Sequence, residues 1–115
     1  MTTVRDIVLI SADLMFASRL EVVVRAGGAG VRTRSSAWEP ERVDAVFVDL
    51  NDDVAPRTAL IARLRALDPV MPIIAFCGHE EKERRSQAMA AGATQVVTNG
   101  GLQGVALRLI GAPVS

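Results

Sequence analysis

Short, continuous apolar runs alternate along the chain with longer segments of helical period. The three strongest runs cover residues 7–10 (IVLI), 45–49 and 72–76. They are unbroken rather than alternating, which is typical of strands buried on both faces of a parallel sheet. Weaker strands are predicted at 29–33 and 94–98. Five strands separated by helical segments predict a parallel sheet covered by helices.

The helical segments carry their own start and stop residues. Asp13 precedes the first helix as an N-cap, and Gly27 ends that helix. Pro56 suits the first turn of the next helix. Two further helices are predicted over 80–91 and 102–110.

One helix of the expected alternation is missing its sequence signal. Between the weak second strand and the third, only residues 38–42 could be helical, and Pro40 limits them to about one turn. The second helix is therefore predicted to be truncated. Trp38 lies in this segment, where it either plugs the sheet face that the short helix uncovers or anchors a partner.

Composition sets the class of protein. A chain of 115 residues with 50% apolar residues predicts a single domain spanning residues 1–115. Its 13 basic and 13 acidic residues balance, which argues against a dedicated nucleic-acid binder. No run approaches the roughly 20 apolar residues of a membrane span, and the N-terminus lacks the apolar core of a signal peptide. We therefore expect a cytoplasmic protein without a membrane partner.

The carboxyl ends of parallel strands meet at one edge of a sheet, where ligand sites of such folds gather. Neither a G-x-G-x-x-G motif nor a P-loop follows the first strand, so a dinucleotide site is not predicted. Cys77 is the only cysteine, which excludes a C-x-x-C redox motif. We interpret Asp52 and Asp53 as part of a solvated turn before Pro56. The residues expected to converge are Ser11, Ala12, Asp13, Asp49, Cys77 and Asn99.

Four segments carry a resemblance to a known family: IVLISADLMFASRL from Ile7, DAVFVDL from Asp44, MPIIAF from Met71 and AAGATQVV from Ala90. In order and spacing they resemble the receiver domains of bacterial two-component response regulators. The resemblance implies a flavodoxin-like, CheY-like three-layer sandwich with strand order 2-1-3-4-5. It also places Asp49 at the phospho-acceptor position.

The sequence departs from that family at the residues on which phosphorylation depends. The resemblance implies an acidic pair for Mg²⁺, and Ser11 and Ala12 stand there. Cys77 replaces a Ser or Thr hydroxyl, and Asn99 replaces a Lys. A shift of the first strand by one residue would bring Asp13 to the second acidic position. A weak metal site formed by Asp13 and Asp49 therefore stays open; no other cofactor is expected.

Three functions remain open. The first is a pseudo-receiver: a non-enzymatic, phosphorylation-independent protein-interaction or signalling-regulatory module. The second is a divergent receiver that accepts a phosphoryl group on Asp49. The third is a small-molecule sensor, with Ser11, Cys77 and Asn99 holding an uncharged ligand. By resemblance, residues 80–110 form the first candidate partner surface, through which the chain could also form a homodimer. The candidate contact residues are Trp38, Arg84, Arg85 and Val97.

Overall fold

The computed structural model describes residues 4–110, so residues 1–3 and 111–115 of the predicted domain lie outside it. The strands are β1 (Asp6–Ile10), β2 (Gly30–Arg34), β3 (Ala45–Asp49), β4 (Ile73–Cys77) and β5 (Gln95–Thr98). The helices are α1 (Leu14–Ala26), α2 (Val54–Leu67), α3 (Lys82–Ala91) and α4 (Leu102–Leu109), with a 3₁₀ turn at Asn99–Gly101. No helix in 4–110 is both long and apolar enough to cross a membrane.

All strand pairs are parallel, and the order across the sheet is β2-β1-β3-β4-β5. This confirms the predicted fold. The sheet separates two apolar layers. Ile7 and Leu9 face the layer with α1 and α4, whereas Val8 and Ile10 face the layer with α2 and α3. Burial on both faces explains why β1 is a continuous apolar run.

The helix ends follow the sequence signals closely. Asp13 caps α1, because its Oδ1 accepts a hydrogen bond of 2.8 Å from the backbone N–H of Met15. Pro56 lies in the first turn of α2, where no intrahelical donor is lost. Gly92 ends α3 at a φ of 119°, in the left-handed region that favours glycine.

The truncation of the second helix is complete. Residues 35–44, all of them described, connect β2 to β3 without any helix. The segment turns where the Trp38 N–H donates to the Ser35 carbonyl at 3.1 Å. Trp38 and Val43 pack against the apolar layer beneath them, which they share with α2 and α3. The loop thus covers part of the sheet face that a helix would otherwise cover.

Candidate functional site

Asp49 ends β3 and is 3% exposed, with both carboxylate oxygens already bonded. Its Oδ2 accepts from the Ser11 hydroxyl at 2.7 Å. Its Oδ1 accepts from the backbone N–H of Asn51 at 2.9 Å and from the side-chain amide of Asn51 at 2.7 Å. The predicted convergence of Ser11 and Asp49 is therefore present as a direct hydrogen bond. The carboxylate of Asp49 thus accepts hydrogen bonds from three donors.

Arg57 brings a positive charge against this carboxylate from the first turn of α2. The residue is 4% exposed, and its Nη1 lies 3.9 Å from Oδ2 of Asp49. The same nitrogen donates to the backbone carbonyls of Asp49, at 2.9 Å, and of Asp52, at 3.1 Å. Its Nε lies 3.8 Å from Oδ2 of Asp53. A buried charge must be paired to be tolerated, so Arg57 and Asp49 stabilise each other.

A pair of amides links Asp49 to the far end of the sheet. The side-chain amide of Asn51 donates to Oδ1 of Asn99 at 2.8 Å, and that of Asn99 donates to Oδ1 of Asn51 at 2.9 Å. Asn51 also donates to Asp49, so one hydrogen-bonded chain runs from Ser11 on the β1 side to Asn99 after β5. Asn99 stands where the resemblance implies a Lys, and it reaches Asp49 only through Asn51 and without a charge.

A cavity of about 370 Å³ opens beside these residues. Of the residues expected at this edge, Ala12, Asp13 and Asp49 line it; Ser11, Cys77 and Asn99 do not. Its lining is charged rather than neutral, with three carboxylates against one guanidinium. The full lining is Ala12, Asp13, Asp49, Asn51, Asp52 and Arg57.

The donor set does not fit the divalent cation that the resemblance implies. Within residues 4–110 no cluster of three or more Asp, Glu, His or Cys could hold a metal ion. Asp13 uses Oδ1 to cap α1, and both oxygens of Asp49 already accept hydrogen bonds. A guanidinium also lies 3.9 Å from Asp49, where a second cation would be repelled. The residues at this site therefore do not fit a divalent cation.

Cys77 is the last residue of β4 rather than a residue beyond the strand, and its side chain is fully buried. Burial raises the pKa of the thiol, and the nearby Arg85 opposes part of that rise. The thiol therefore stays neutral and enclosed at neutral pH. A weak, buried donor occupies the place where the resemblance implies a mobile hydroxyl.

The candidate contact residues are all partly buried. Trp38 is half-buried against the layer under α2, and Val97 is half-buried against the layer with α1 and α4. Arg84 turns inward, and its Nη1 donates to the carbonyls of Leu50, at 3.1 Å, and Asn51, at 3.5 Å. Arg85 is half-buried.

Sequence reasoning missed Arg57 and Asn51. A signal for Arg57 did exist, because side chains of a helix lean toward its N-terminus. An arginine directly after Pro56 therefore points back to the strand end. Asn51 lies two residues beyond Asp49, the spacing of a local Asx turn, and its backbone N–H does donate to that carboxylate.

No protein-family model and no curated protein sequence matches the chain. Its fold is that of CheY-like response-regulator receiver domains. A CheY-like protein (TadZ) from Pseudomonas aeruginosa PAO1 superposes with a TM-score of 0.76 at 20% identity, over 100% of this chain and 98% of that one.

Two further solved structures agree with that fold. The receiver domain of TorR, the response regulator of the TMAO respiratory system, gives a TM-score of 0.77 at 22% identity, over 91% of this chain and 92% of that one. The other is a Burkholderia pseudomallei response regulator with a phosphorylated aspartic acid, calcium ion and citrate. It gives a TM-score of 0.74 at 21% identity, over 92% of this chain and 66% of that one. At such identities the likeness establishes the fold.

Proposed function

We propose that this chain is a phosphorylation-independent receiver-like module of bacterial signalling that acts by binding a protein partner and catalyses no reaction. The fold supports a signalling role, since its structural neighbours include response regulators. The site supports the absence of phosphoryl chemistry. The proposal places the module in the cytoplasm, where two-component systems transmit signals.

The observation that carries the proposal is the state of Asp49. Its carboxylate accepts three hydrogen bonds and faces the guanidinium of Arg57, so its charge is already neutralised from within the chain. Phosphorylation would replace the single negative charge of the Asp49 carboxylate with about two on the resulting acyl phosphate, beside Asp13 and Asp52. Only one guanidinium would oppose them, with no lysine at position 99. The site therefore favours the unmodified carboxylate.

Beryllofluoride with Mg²⁺ tests the proposal, because it mimics a phosphoryl group on an acceptor aspartate. Two-dimensional amide NMR of the wild type should show no saturable shift of the Asn51 and Asn99 side-chain signals on titration. An Asp49→Asn variant serves as the matched control. Saturable shifts in the wild type that disappear in Asp49→Asn would overturn the proposal and favour the divergent phospho-accepting receiver.

A restored variant provides the positive control. It introduces the residues that the receiver pattern implies at the four departing positions and also removes the buried guanidinium of Arg57. It should gain the beryllofluoride response that the wild type lacks. Circular dichroism and thermal unfolding establish that it is folded before the titration. Its substitutions are Ser11→Asp, Ala12→Asp, Arg57→Met, Cys77→Thr and Asn99→Lys.

The proposed contact surface consists of α3, β5 and α4. Met89 on α3 is 49% exposed and Leu107 on α4 is 42% exposed, which leaves apolar area available on two of these elements. If the partner is a second copy, sedimentation velocity should show a concentration-dependent dimer that Met89→Asp weakens. A Val70→Asp control changes an exposed apolar residue that belongs to none of these three elements. Equal weakening by both variants would contradict the assignment of the surface.

A small-molecule sensor is the second candidate, and the cavity beside Asp49 is the observation that favours it. Its volume of about 370 Å³ falls in the range of ligand pockets. The excess of carboxylates in its lining favours a cationic ligand over the uncharged one that the sequence suggested. Putrescine and free arginine are suitable probes in a thermal-shift titration. A saturable rise in Tm that Asp52→Asn abolishes would favour the sensor, and its absence counts against it.

A further inference from the structure

Residues 49–53, from the last residue of β3 to the residue before α2, are called the β3–α2 loop. Arg57 of α2 binds this loop. Its Nη1 donates to the first carbonyl of the loop, which is that of Asp49, and to the fourth, which is that of Asp52. The guanidinium is buried, and its hydrogen bond to the Asp49 carbonyl is buried with it. Arg57 therefore fixes the two flanks of the loop to the helix that follows it.

Arg84 binds the same loop from a different element. It lies in the first turn of α3, and its Nη1 donates to the two central carbonyls, those of Leu50 at 3.1 Å and Asn51 at 3.5 Å. Glu81 holds the guanidinium in place, with its Oε2 3.4 Å from Nε of Arg84. These contacts bridge 34 and 33 residues of sequence and tie α3 to the loop.

The loop is thereby over-determined. Its four successive carbonyls, from 49 to 52, all accept hydrogen bonds from the two arginines. The backbone N–H of Leu50 donates to the Phe76 carbonyl on β4 at 2.9 Å. Asp53 adopts a φ of 51°, a left-handed conformation that a non-glycine residue keeps only where its surroundings enforce it. The loop is thus held from three elements, β4, α2 and α3.

We propose that Arg57 and Arg84 form an arginine clamp that holds the β3–α2 loop and the start of α3 in a single arrangement. In a receiver that switches, a phosphoryl group would select between two arrangements of a strand-end site. In this chain the clamp stabilises one of those arrangements at all times, without a phosphoryl group. The last step, that α3 is thereby presented to a partner at all times, rests on the proposed function.

The guanidinium group suits this role better than an ammonium would. Its planar fork carries five donors in fixed directions, so Nη1 can donate to two carbonyls while Nε faces a carboxylate on the other side. A lysine would supply the charge without the fork. The clamp therefore makes a prediction that charge alone does not: an Arg84→Lys variant should lose most of the restraint on the loop.

Amide hydrogen exchange of the whole chain, measured residue by residue, tests the clamp. In Arg84→Gln the amides of residues 50–55 and 57 should exchange about tenfold faster than in the wild type, whereas those of β1 and β4 should be unchanged. Arg84→Lys should resemble Arg84→Gln. Arg63→Gln is the matched control, because Arg63 is a half-exposed arginine of α2 whose ion pair with Glu39 lies on the surface. Arg84 is itself partly exposed, so its replacement should leave the chain folded.

Two results would overturn the clamp. One is a loop that exchanges at the same rate in Arg84→Gln as in Arg63→Gln. The other is an acceleration spread evenly over the sheet, which would indicate global destabilisation. No Mg²⁺ or phosphoryl mimic is present in these measurements, so the result does not depend on whether Asp49 accepts a phosphoryl group. Beryllofluoride binding by a wild type whose loop exchanges slowly would overturn the proposed function and leave the clamp intact.

Discussion

Arg57 and Asp49 form a buried ion pair between the first turn of α2 and the end of β3, with Nη1 and Oδ2 3.9 Å apart and both side chains at most 5% exposed. The pair is supplemented by a shorter bond, of 2.9 Å, from the same nitrogen to the Asp49 carbonyl. A cation supplied by the chain itself thus neutralises the carboxylate that the resemblance assigns to phosphorylation. Together with the amide pair of Asn51 and Asn99, it completes a network of hydrogen bonds and charges around Asp49.

Removal of one partner of this pair should destabilise the fold strongly. Arg57→Met leaves the Asp49 carboxylate buried without a counter-ion, and it should lower the free energy of unfolding by about 3 to 5 kcal/mol. Urea denaturation measures the change. Adding Asp49→Asn to Arg57→Met should recover part of the loss, because the uncompensated charge is then gone. Arg63→Met, on the surface of the same helix, should change stability by less than about 0.5 kcal/mol. A loss under about 1 kcal/mol in Arg57→Met would show that the pair is not needed.

The reciprocal amide pair should behave as one unit. Asn51→Ala and Asn99→Ala each remove both amide–amide hydrogen bonds, so the double variant should lose less than the sum of the single ones. We expect a coupling of about 1 kcal/mol from a double-mutant cycle in urea. The control is a second cycle that combines Asn51→Ala with Gln87→Ala, which removes a surface amide on α3. In that cycle the two losses of unfolding free energy should be additive. Additive effects in the Asn51–Asn99 cycle would contradict the pairing.

Trp38 should stabilise the fold in the place of the missing helix. Trp38→Ala removes a half-buried ring from the layer under α2, and we expect a loss of about 2 kcal/mol, below that of a fully buried tryptophan. As the single tryptophan of the chain, Trp38 also reports on its own surroundings. Its fluorescence maximum should shift to longer wavelength on unfolding. A Trp38→Ala variant as stable as the wild type would instead favour the alternative interpretation, an anchor kept for a partner.

Continuous apolar runs made the fold predictable. A strand buried on both faces, such as β1 or β4, needs apolar residues at almost every position, and the short length of these runs distinguishes them from buried helices. Asp13 and Gly27 marked the ends of α1 because capping is a local property of the backbone. The convergence of Ser11 with Asp49 followed from topology alone, since parallel strands end at one edge.

The charged part of the site was not predictable in the same way. Whether an arginine points to solvent or folds back over a strand end depends on its rotamer and on acceptors distant in sequence. Arg84 bonds carbonyls 34 and 33 residues away, a contact that no local pattern encodes. For Arg57 the sequence indicates only the direction of the side chain, back toward the strand end. It does not indicate the acceptors, because these are backbone carbonyls, which every residue possesses. The cavity beside Asp49 is charged rather than neutral, because carboxylates at the strand ends line it and α2 adds the guanidinium of Arg57.

Cys77 should make stability depend on pH in the alkaline range. Burial raises the pKa of this thiol in the folded chain, whereas in the unfolded chain it ionises near the ordinary value of 9.0. Below that value both states hold the proton, and the stabilising contribution is fully present. As the pH rises above about 9, the unfolded state releases its proton first, so the free energy of unfolding falls. The free energy of unfolding of the wild type and of Cys77→Ala should be measured in urea between pH 7 and pH 10. The difference between the two free energies should decrease as the pH increases, because the variant has no thiol to ionise. Iodoacetamide should label the thiol at pH 8 only in urea. A constant difference across the pH range, or rapid labelling of the folded chain, would contradict the buried, neutral thiol.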